Sequence, residues 1–192
     1  MFMSLIRKRR SIRKFIDKPV EKEKLDLLVE AGLRAPSSRG FSPWHFVVVT
    51  DRAMLTRLSQ AKENGATFLK NAPVGIVVCA DASKSDVWVE DAAIATIMIQ
   101  LAAVHLDLGS CWIQIRERMH DARQTAEAYV GAVLGLPPQL KVESIVAIGY
   151  SDETKAPHPK ESLPHAQVHA ESYGGGPIDS GASVHSPHGQ RG

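Results

Sequence analysis

The 192-residue sequence has only two cysteines, no long uninterrupted hydrophobic run and no large excess of one charge sign. Cys79 and Cys111 lie in separate apolar runs, so no disulfide framework is indicated and a reducing compartment is expected. The longest apolar stretch, residues 94–108, is interrupted by polar side chains and cannot span a bilayer. A net charge of +2 gives no bulk attraction to nucleic acid. These absences favour a cytoplasmic protein without membrane or nucleic-acid partners.

Hydrophobic periodicity divides the first 150 residues into helices and strands, which indicates an α/β or α+β fold. Helices are predicted over 21–33, from an N-cap at Asp51, over 86–108 with Gly109 as C-terminal cap, and over 118–134. Strands are predicted over 46–49, 74–80, 111–115 and 142–150. Little periodicity follows residue 151, and the last ~20 residues are expected to be disordered because they cannot bury enough apolar surface.

A basic segment precedes the first predicted helix, and six of its eight residues, 7–14, are Arg or Lys. Arg9 and Arg13 are four residues apart, so on a helical turn they would share a face. Guanidinium groups beside the Ser11 hydroxyl suit a phosphate dianion, because arginine offers a planar fork of donors. A solvated basic patch or a nucleic-acid contact would produce the same composition.

Three later segments contain residues suited to a ligand. Residues 34–44, between a helix and a strand, combine Gly40 with small hydroxyl side chains that let backbone approach a flat ring. At residues 108–114 a helix turns into a strand, where backbone amides would face a ligand, although tryptophan is more often a core residue. Residues 148–160 follow the last strand, and Lys155 and Lys160 are placed to return to a phosphate unless the stretch is a solvated linker.

Together, in order and spacing, these four segments resemble the nitroreductase-like flavoproteins over residues 5–163. The resemblance implies an α+β fold with a central mixed sheet wrapped by helices, and a homodimer with FMN at the subunit interface. The long helix over 86–108 would then belong to the dimer interface as well as the core. Residues 1–163 would form the FMN-binding domain, and residues 164–192 a Gly/Ser/His-rich tail.

The resemblance also implies which residues bind the cofactor at its phosphate, at its ring and on the ring's other side. The phosphate and ribityl end would be held by Arg9, Arg10, Ser11, Arg13 and Lys160, the pyrimidine edge by Arg34, the ring by Pro36, Ser37 and Ser38, and the other side by Trp112, Ile113 and Gln114. Gly40 and Ser42 stand where many family members have Asn and Gln, which leaves the acceptor open.

The resemblance predicts an NAD(P)H oxidoreductase whose chemistry resides on FMN and whose acceptors are nitroaromatics or quinones, in ping-pong order through one pocket. One alternative is a specialised flavoprotein of the same fold, a dehalogenase, a dehydrogenase or a flavin-fragmenting enzyme. A nucleic-acid module using residues 7–14 is a more distant alternative. A third is a metal site in the tail, formed by His165, His169, His185 and His188, although adventitious binding is the simpler interpretation.

Overall fold

The computed structural model describes residues 2–176, and its compact first unit ends at Pro157, after which a second unit begins at His158. The second unit contains two short 3₁₀ turns, Lys160–Ser162 and His165–Gln167. The disorder expected at the C-terminus concerns mainly residues 177–192, which lie outside the described residues. No helix within residues 2–176 is long and apolar enough to cross a membrane.

The first unit is built from five α-helices and four strands. The helices are α1 Phe2–Lys8, α2 Lys22–Leu33, α3 Arg52–Leu58, α4 Trp88–His105 and α5 Ala126–Leu134. The strands are β1 Trp44–Val49, β2 Val74–Asp81, β3 Gly109–Gln114 and β4 Leu140–Gly149. These elements confirm the α+β class and match most of the predicted elements.

The four strands form one sheet in the order β1-β2-β4-β3, and all three ladders are antiparallel. Parallel pairing, within the described part of the chain, is limited to one bridge between Ser11 and Ser110. The ladder of β2 and β4 shifts register because Glu143 is an extra residue opposite the Val78–Cys79 step. The bulge at Glu143 is next to Ser144, which pairs with Gln114, the last residue of β3.

The sheet is buried on both faces, so most of β2 and the second half of β4, residues 145–149, are continuously apolar rather than alternating. One face packs on a cluster that includes Leu55 and Leu58 of α3 and Val130 of α5. The other face packs on Leu28 of α2 and Ile99 of α4. β3 is an edge strand, and its outer side faces the N-terminal segment of the chain.

The predicted helix over 118–134 begins only at Ala126. The Asp121 carboxylate accepts hydrogen bonds from the backbone N–H groups of Arg123 and Gln124, at 2.7 and 2.9 Å, and so holds a turn that competes with the helix. The Thr125 hydroxyl then accepts from the Ala128 N–H at 3.1 Å and caps α5. The helical periodicity upstream of Thr125 was therefore overridden by local side-chain bonding.

The structure also tests two predicted helix caps, at Asp51 and Gly109. The Asp51 carboxylate accepts from the Met54 N–H at 2.7 Å, which confirms the predicted cap of α3. Gly109, predicted to cap the long helix, is instead the first residue of β3. The chain leaves α4 through Leu106 and Asp107, and the left-handed conformation falls on Asp107, at φ 57°.

Candidate functional site

The basic N-terminal segment lies against the sheet edge instead of continuing as a helix. α1 ends at Lys8, and the Ile12 N–H then donates to the Ser110 carbonyl at 2.9 Å. Further along, the Ile16 N–H donates to the Tyr150 carbonyl at 2.9 Å. The condition under which Arg9 and Arg13 would share a face, a helical turn, is not met, because the backbone after Lys8 bonds to β3 and to Tyr150.

The residues that follow β4 hold the basic segment in place. The Lys155 ammonium donates to the Ser11 carbonyl at 2.6 Å, and the Arg10 guanidinium donates to the Ala156 carbonyl. A carboxylate oxygen of Glu153 accepts the N–H of Arg13 at 2.5 Å. Lys155, which was expected to return to a phosphate, bonds the backbone of the basic segment, and its contact with a phosphate stays a prediction.

The guanidinium groups of Arg9 and Arg13 form no ion pair or hydrogen bond with residues 2–176. That of Arg13 lies 5.8 Å from the centre of the Phe68 ring. Arg13 borders a cleft of about 420 Å³, and Arg10 borders another of about 460 Å³ that it shares with Lys155. Within residues 2–176 the segment therefore offers two guanidinium groups, those of Arg9 and Arg13, that are not ion-paired.

The open edge of β3 presents backbone donors beside this segment. The Ile115 N–H donates to the Glu143 carbonyl at 3.1 Å, which places Ile113 in a hydrogen-bonded pair with β4. In an antiparallel ladder the alternate residues, here Trp112 and Gln114, direct their N–H and C=O groups away from the partner strand. Two amides of an edge strand are thus available to a ligand.

Side chains behind this edge fix its position. The Trp112 indole N–H donates to the Gln114 side-chain oxygen at 2.8 Å, and the Gln114 amide donates to the Glu143 carboxyl at 3.2 Å. Burial raises the pKa of Glu143, whose second carboxyl oxygen has no partner within the described structure. Ile113 is fully buried and its backbone pairs with β4, so its side chain supports the strand from the core.

The loop after α2 is held by a buried carboxylate. Asp91, in the first turn of α4, accepts from the Ser38 N–H at 2.8 Å and from the Ser85 hydroxyl at 2.9 Å. The Ser37 hydroxyl accepts from the Ser42 N–H at 2.9 Å, and Ser42 has a left-handed φ of 45°. Pro36 is exposed on the same loop. These bonds give the predicted ring-binding loop one defined shape.

No hydrogen bond or ion pair within the described part of the first unit brings Arg34 to the basic segment. The Arg34 guanidinium is exposed and pairs with Glu30, one helical turn earlier, at 2.7 Å. Lys160 begins a 3₁₀ turn in the second unit. Across residues 2–176, no hydrogen bond or ion pair joins the Pro36–Ser38 loop to the basic segment, so one chain presents the predicted site in separate parts.

Comparison with known proteins places this arrangement in a family. The nitroreductase family profile matches residues 6–67 and 52–150. The chain belongs to the nitroreductase family. The solved FMN-dependent nitroreductase of Clostridium difficile R20291 is 49% identical, with a TM-score of 0.87, and the match covers 88% of this chain and 99% of that one.

Two further members show how widely the likeness extends. A protein from Archaeoglobus fulgidus, provisionally assigned as an NADH dehydrogenase/NAD(P)H nitroreductase, is 38% identical over 157 residues, which are 80% of this chain and 87% of the relative. A provisionally assigned nitroreductase from Desulfovibrio desulfuricans, solved in complex with FMN, is 27% identical with a TM-score of 0.69, and the match covers 84% of this chain and 94% of that one.

The structure of this nitroreductase-family chain adds two acidic residues that sequence reasoning missed, Glu153 and Asp91. Each holds the backbone of a predicted binding segment, and each lies far along the chain from the residue it holds. The only signal in the sequence was the position of each acid. Glu153 comes just after a strand and Asp91 is in the first turn of a helix, and acids at such positions are too common to identify a role.

Within residues 2–176 the cysteines and histidines do not form a second reactive or metal-binding site. Burial raises the pKa of Cys79 to about 12 and also raises that of Cys111, so both thiols are protonated at neutral pH. Residues 2–176 contain no group of three His, Cys, Asp or Glu side chains that could hold a metal ion. Of the histidines proposed for a tail site, His185 and His188 lie outside the described residues.

Proposed function

We propose that this chain is an FMN-dependent NAD(P)H oxidoreductase that delivers hydride to small electron-poor acceptors. The observation that carries the proposal is the basic segment, which residues following β4 hold against an edge strand with two free amides. Its family supports the cofactor, since relatives bear the names FMN-dependent nitroreductase and NAD(P)H nitroreductase.

The residue types of the basic segment suit the phosphate end of FMN. Arg9 and Arg13 present guanidinium groups without a counter-ion in the described structure, and Arg10 and Ser11 lie between them. Charge-assisted hydrogen bonds from guanidinium to phosphate are among the stronger ones in proteins. Lys160 is proposed as a further phosphate contact, with the charge of an arginine but without its fork.

The edge of β3 fits a flavin ring. We assign the outward N–H groups of Trp112 and Gln114 as donors to acceptor atoms of the ring, and the buried Ile113 as the residue that keeps them in register. FMN, when bound, takes up hydride from a reduced nicotinamide and passes it to the acceptor. The protein needs no nucleophile or metal of its own, and its residues bind, orient and exclude water.

A single exposed face of the flavin ring would favour alternating occupancy. A reduced nicotinamide and a flat acceptor, such as a nitroaromatic or a quinone, each need the same exposed ring face, so one must leave before the other enters. Arg34 is proposed at the pyrimidine edge, where a positive charge would stabilise the reduced, anionic cofactor by Coulomb attraction. Breaking its exposed pair with Glu30 would cost little, because surface pairs contribute about 0–1 kcal/mol.

A homodimer would unite the separated parts of the site. We propose that Pro36, Ser37 and Ser38, held by Asp91, come from the partner subunit to the ring. Ile94 and Ile97 of α4 each expose 37% of their surface in the single chain. Large apolar side chains exposed on one helix are typical of an interface.

Initial-rate kinetics tests the proposal. With NADH or NADPH varied at several fixed acceptor concentrations, alternating occupancy predicts parallel lines in double-reciprocal plots. Converging lines would contradict the single pocket. An FMN-loaded enzyme that oxidises neither nicotinamide would favour the specialised flavoproteins of the same fold.

A further inference from the structure

Glu153 is an acidic side chain in the middle of the basic segment's contacts. Its carboxylate oxygen accepts the N–H groups of Arg13 and Lys14, at 2.5 and 3.3 Å, and lies 3.3 Å from the Lys155 ammonium. A carboxylate so near a predicted phosphate site would repel the phosphate, unless it contributes something that outweighs the repulsion.

The bonding pattern shows what Glu153 contributes. Lys155, paired with Glu153, also donates to the Ser11 carbonyl, so the acid and the lysine together contact the backbone of Ser11, Arg13 and Lys14. Glu153 is itself held by its own turn, because the Ser151 hydroxyl donates to the Glu153 carbonyl at 2.5 Å. Its side chain exposes only 19% of its surface.

The charge of Glu153 is maintained by these contacts. The hydrogen bond from the Arg13 N–H, followed by the bond from Lys155, holds the pKa of this carboxyl below its usual value, so it is ionised at neutral pH. An ionised carboxylate accepts backbone N–H bonds more strongly than a neutral group does. The carboxylate bonds the Arg13 backbone, and the Arg13 guanidinium makes no hydrogen bond or ion pair within residues 2–176.

We propose that Glu153 is a positioning residue for cofactor binding, which fixes the backbone at Arg13 and the ammonium of Lys155 so that the Arg13 guanidinium faces the phosphate. The inference rests on the proposed function, since it assigns the phosphate to this segment. It is distinct from that function, because a phosphate clamp does not require an acid behind it.

Two substitutions separate the acceptor from the charge. Glu153→Gln keeps an oxygen for the Arg13 N–H, but it weakens that bond and also removes a charge that repels the phosphate. Because these two effects oppose each other, FMN affinity stays within about threefold of wild type. Glu153→Ala removes the acceptor, so FMN binding weakens by about ten- to a hundredfold, as expected from losing hydrogen bonds to a charged group. Asp152→Ala is the matched control, because it removes one carboxylate whose side chain makes no hydrogen bond or ion pair in the described structure.

Titration of the apoprotein with FMN, followed by quenching of flavin fluorescence, measures these affinities. Amide hydrogen exchange of residues 9–16 in the apoprotein is the second readout. Faster exchange in the Glu153→Ala variant, with exchange in the Gln variant near wild type, is expected. Wild-type FMN affinity in Glu153→Ala overturns the proposal, and so does a Gln variant as weak as the Ala variant.

The outcome also distinguishes this inference from the clamp itself. If Arg13→Ala leaves FMN affinity unchanged, the phosphate assignment fails whatever Glu153 does. If Arg13→Ala weakens binding while Glu153→Ala does not, the clamp stands and the positioning role is refuted.

Discussion

Removing the two uncompensated guanidinium groups of the basic segment should weaken FMN binding far more than it weakens the fold. In an Arg9→Ala/Arg13→Ala variant each phosphate interaction that is removed is worth about 1.5–3 kcal/mol, because the partner is charged. The two interactions, if additive, amount to about 3–6 kcal/mol, or roughly a hundred- to ten-thousandfold in Kd.

The cost to stability is expected to be small. Neither guanidinium is paired with an acid in residues 2–176, so the substitutions leave no buried partner charge. The variant no longer has the Arg13 guanidinium over the Phe68 ring, 5.8 Å from its centre, and such a cation–π interaction at an exposed site is worth about 0.5–1 kcal/mol. A fall in melting temperature of a few degrees would be consistent with that figure.

The assay is fluorescence titration of the apoprotein with FMN at fixed ionic strength, alongside thermal unfolding. Arg7→Ala/Lys14→Ala is the control, since it also removes two positive charges, from exposed side chains of the same stretch. Salt-dependent weakening equal in both variants would indicate general attraction instead of a clamp. Unchanged affinity in the Arg9/Arg13 variant would refute the phosphate assignment.

Two further predictions concern packing and thiol chemistry. Gly109→Ala places a new Cβ 2.8–2.9 Å from atoms of Ile12, so the basic segment must move away from β3; we expect a loss of about 1–3 kcal/mol in the free energy of unfolding and weaker FMN binding. Gly131→Ala, where the new Cβ meets nothing within 4 Å, should instead stabilise α5 by up to about 1 kcal/mol in denaturant titrations. Because burial raises the pKa of both Cys79 and Cys111, a thiol reagent at pH 7.5 should label neither in the folded protein and both after unfolding; fast labelling of the native protein would contradict this.

Elements dominated by apolar periodicity were predictable from the sequence. β2 and the second half of β4, residues 145–149, are buried on both faces, and a continuous apolar run identifies such segments without knowledge of their neighbours. The cap at Asp51 was predictable as well, because it depends on residues only three positions apart. A helix cap of this kind needs only residues within one helical turn of each other, so the sequence alone can predict it.

Features that depend on competing or distant contacts were not predictable. Asp121 bonds its own neighbours and delays α5, although the periodicity before Thr125 is helical. The four-residue spacing of Arg9 and Arg13 would place them on one face of a helical turn, yet the backbone of this segment bonds to β3 and to Tyr150 after β4. The bond between the Arg13 N–H and Glu153 joins residues 140 positions apart, and no local pattern specifies it.

In the candidate site, too, some features were predictable from the sequence and others depended on distant contacts. The residue types suited to a phosphate were evident from composition, whereas the two free amides of β3 followed only from the ladder register with β4. The roles given to Arg34 and Lys160, and the part of the partner subunit, stay predictions. They depend on a second chain and on a bound cofactor.

The central claim is that this chain binds FMN and reduces it with a nicotinamide. The most direct measurement is the visible absorption spectrum of the purified protein, reconstituted with FMN if needed, before and after anaerobic addition of NADH and then NADPH. The account predicts a flavin band that bleaches with at least one nicotinamide and returns on addition of a nitroaromatic or a quinone. A protein that takes up no FMN, or a bound flavin that neither nicotinamide bleaches, would contradict it.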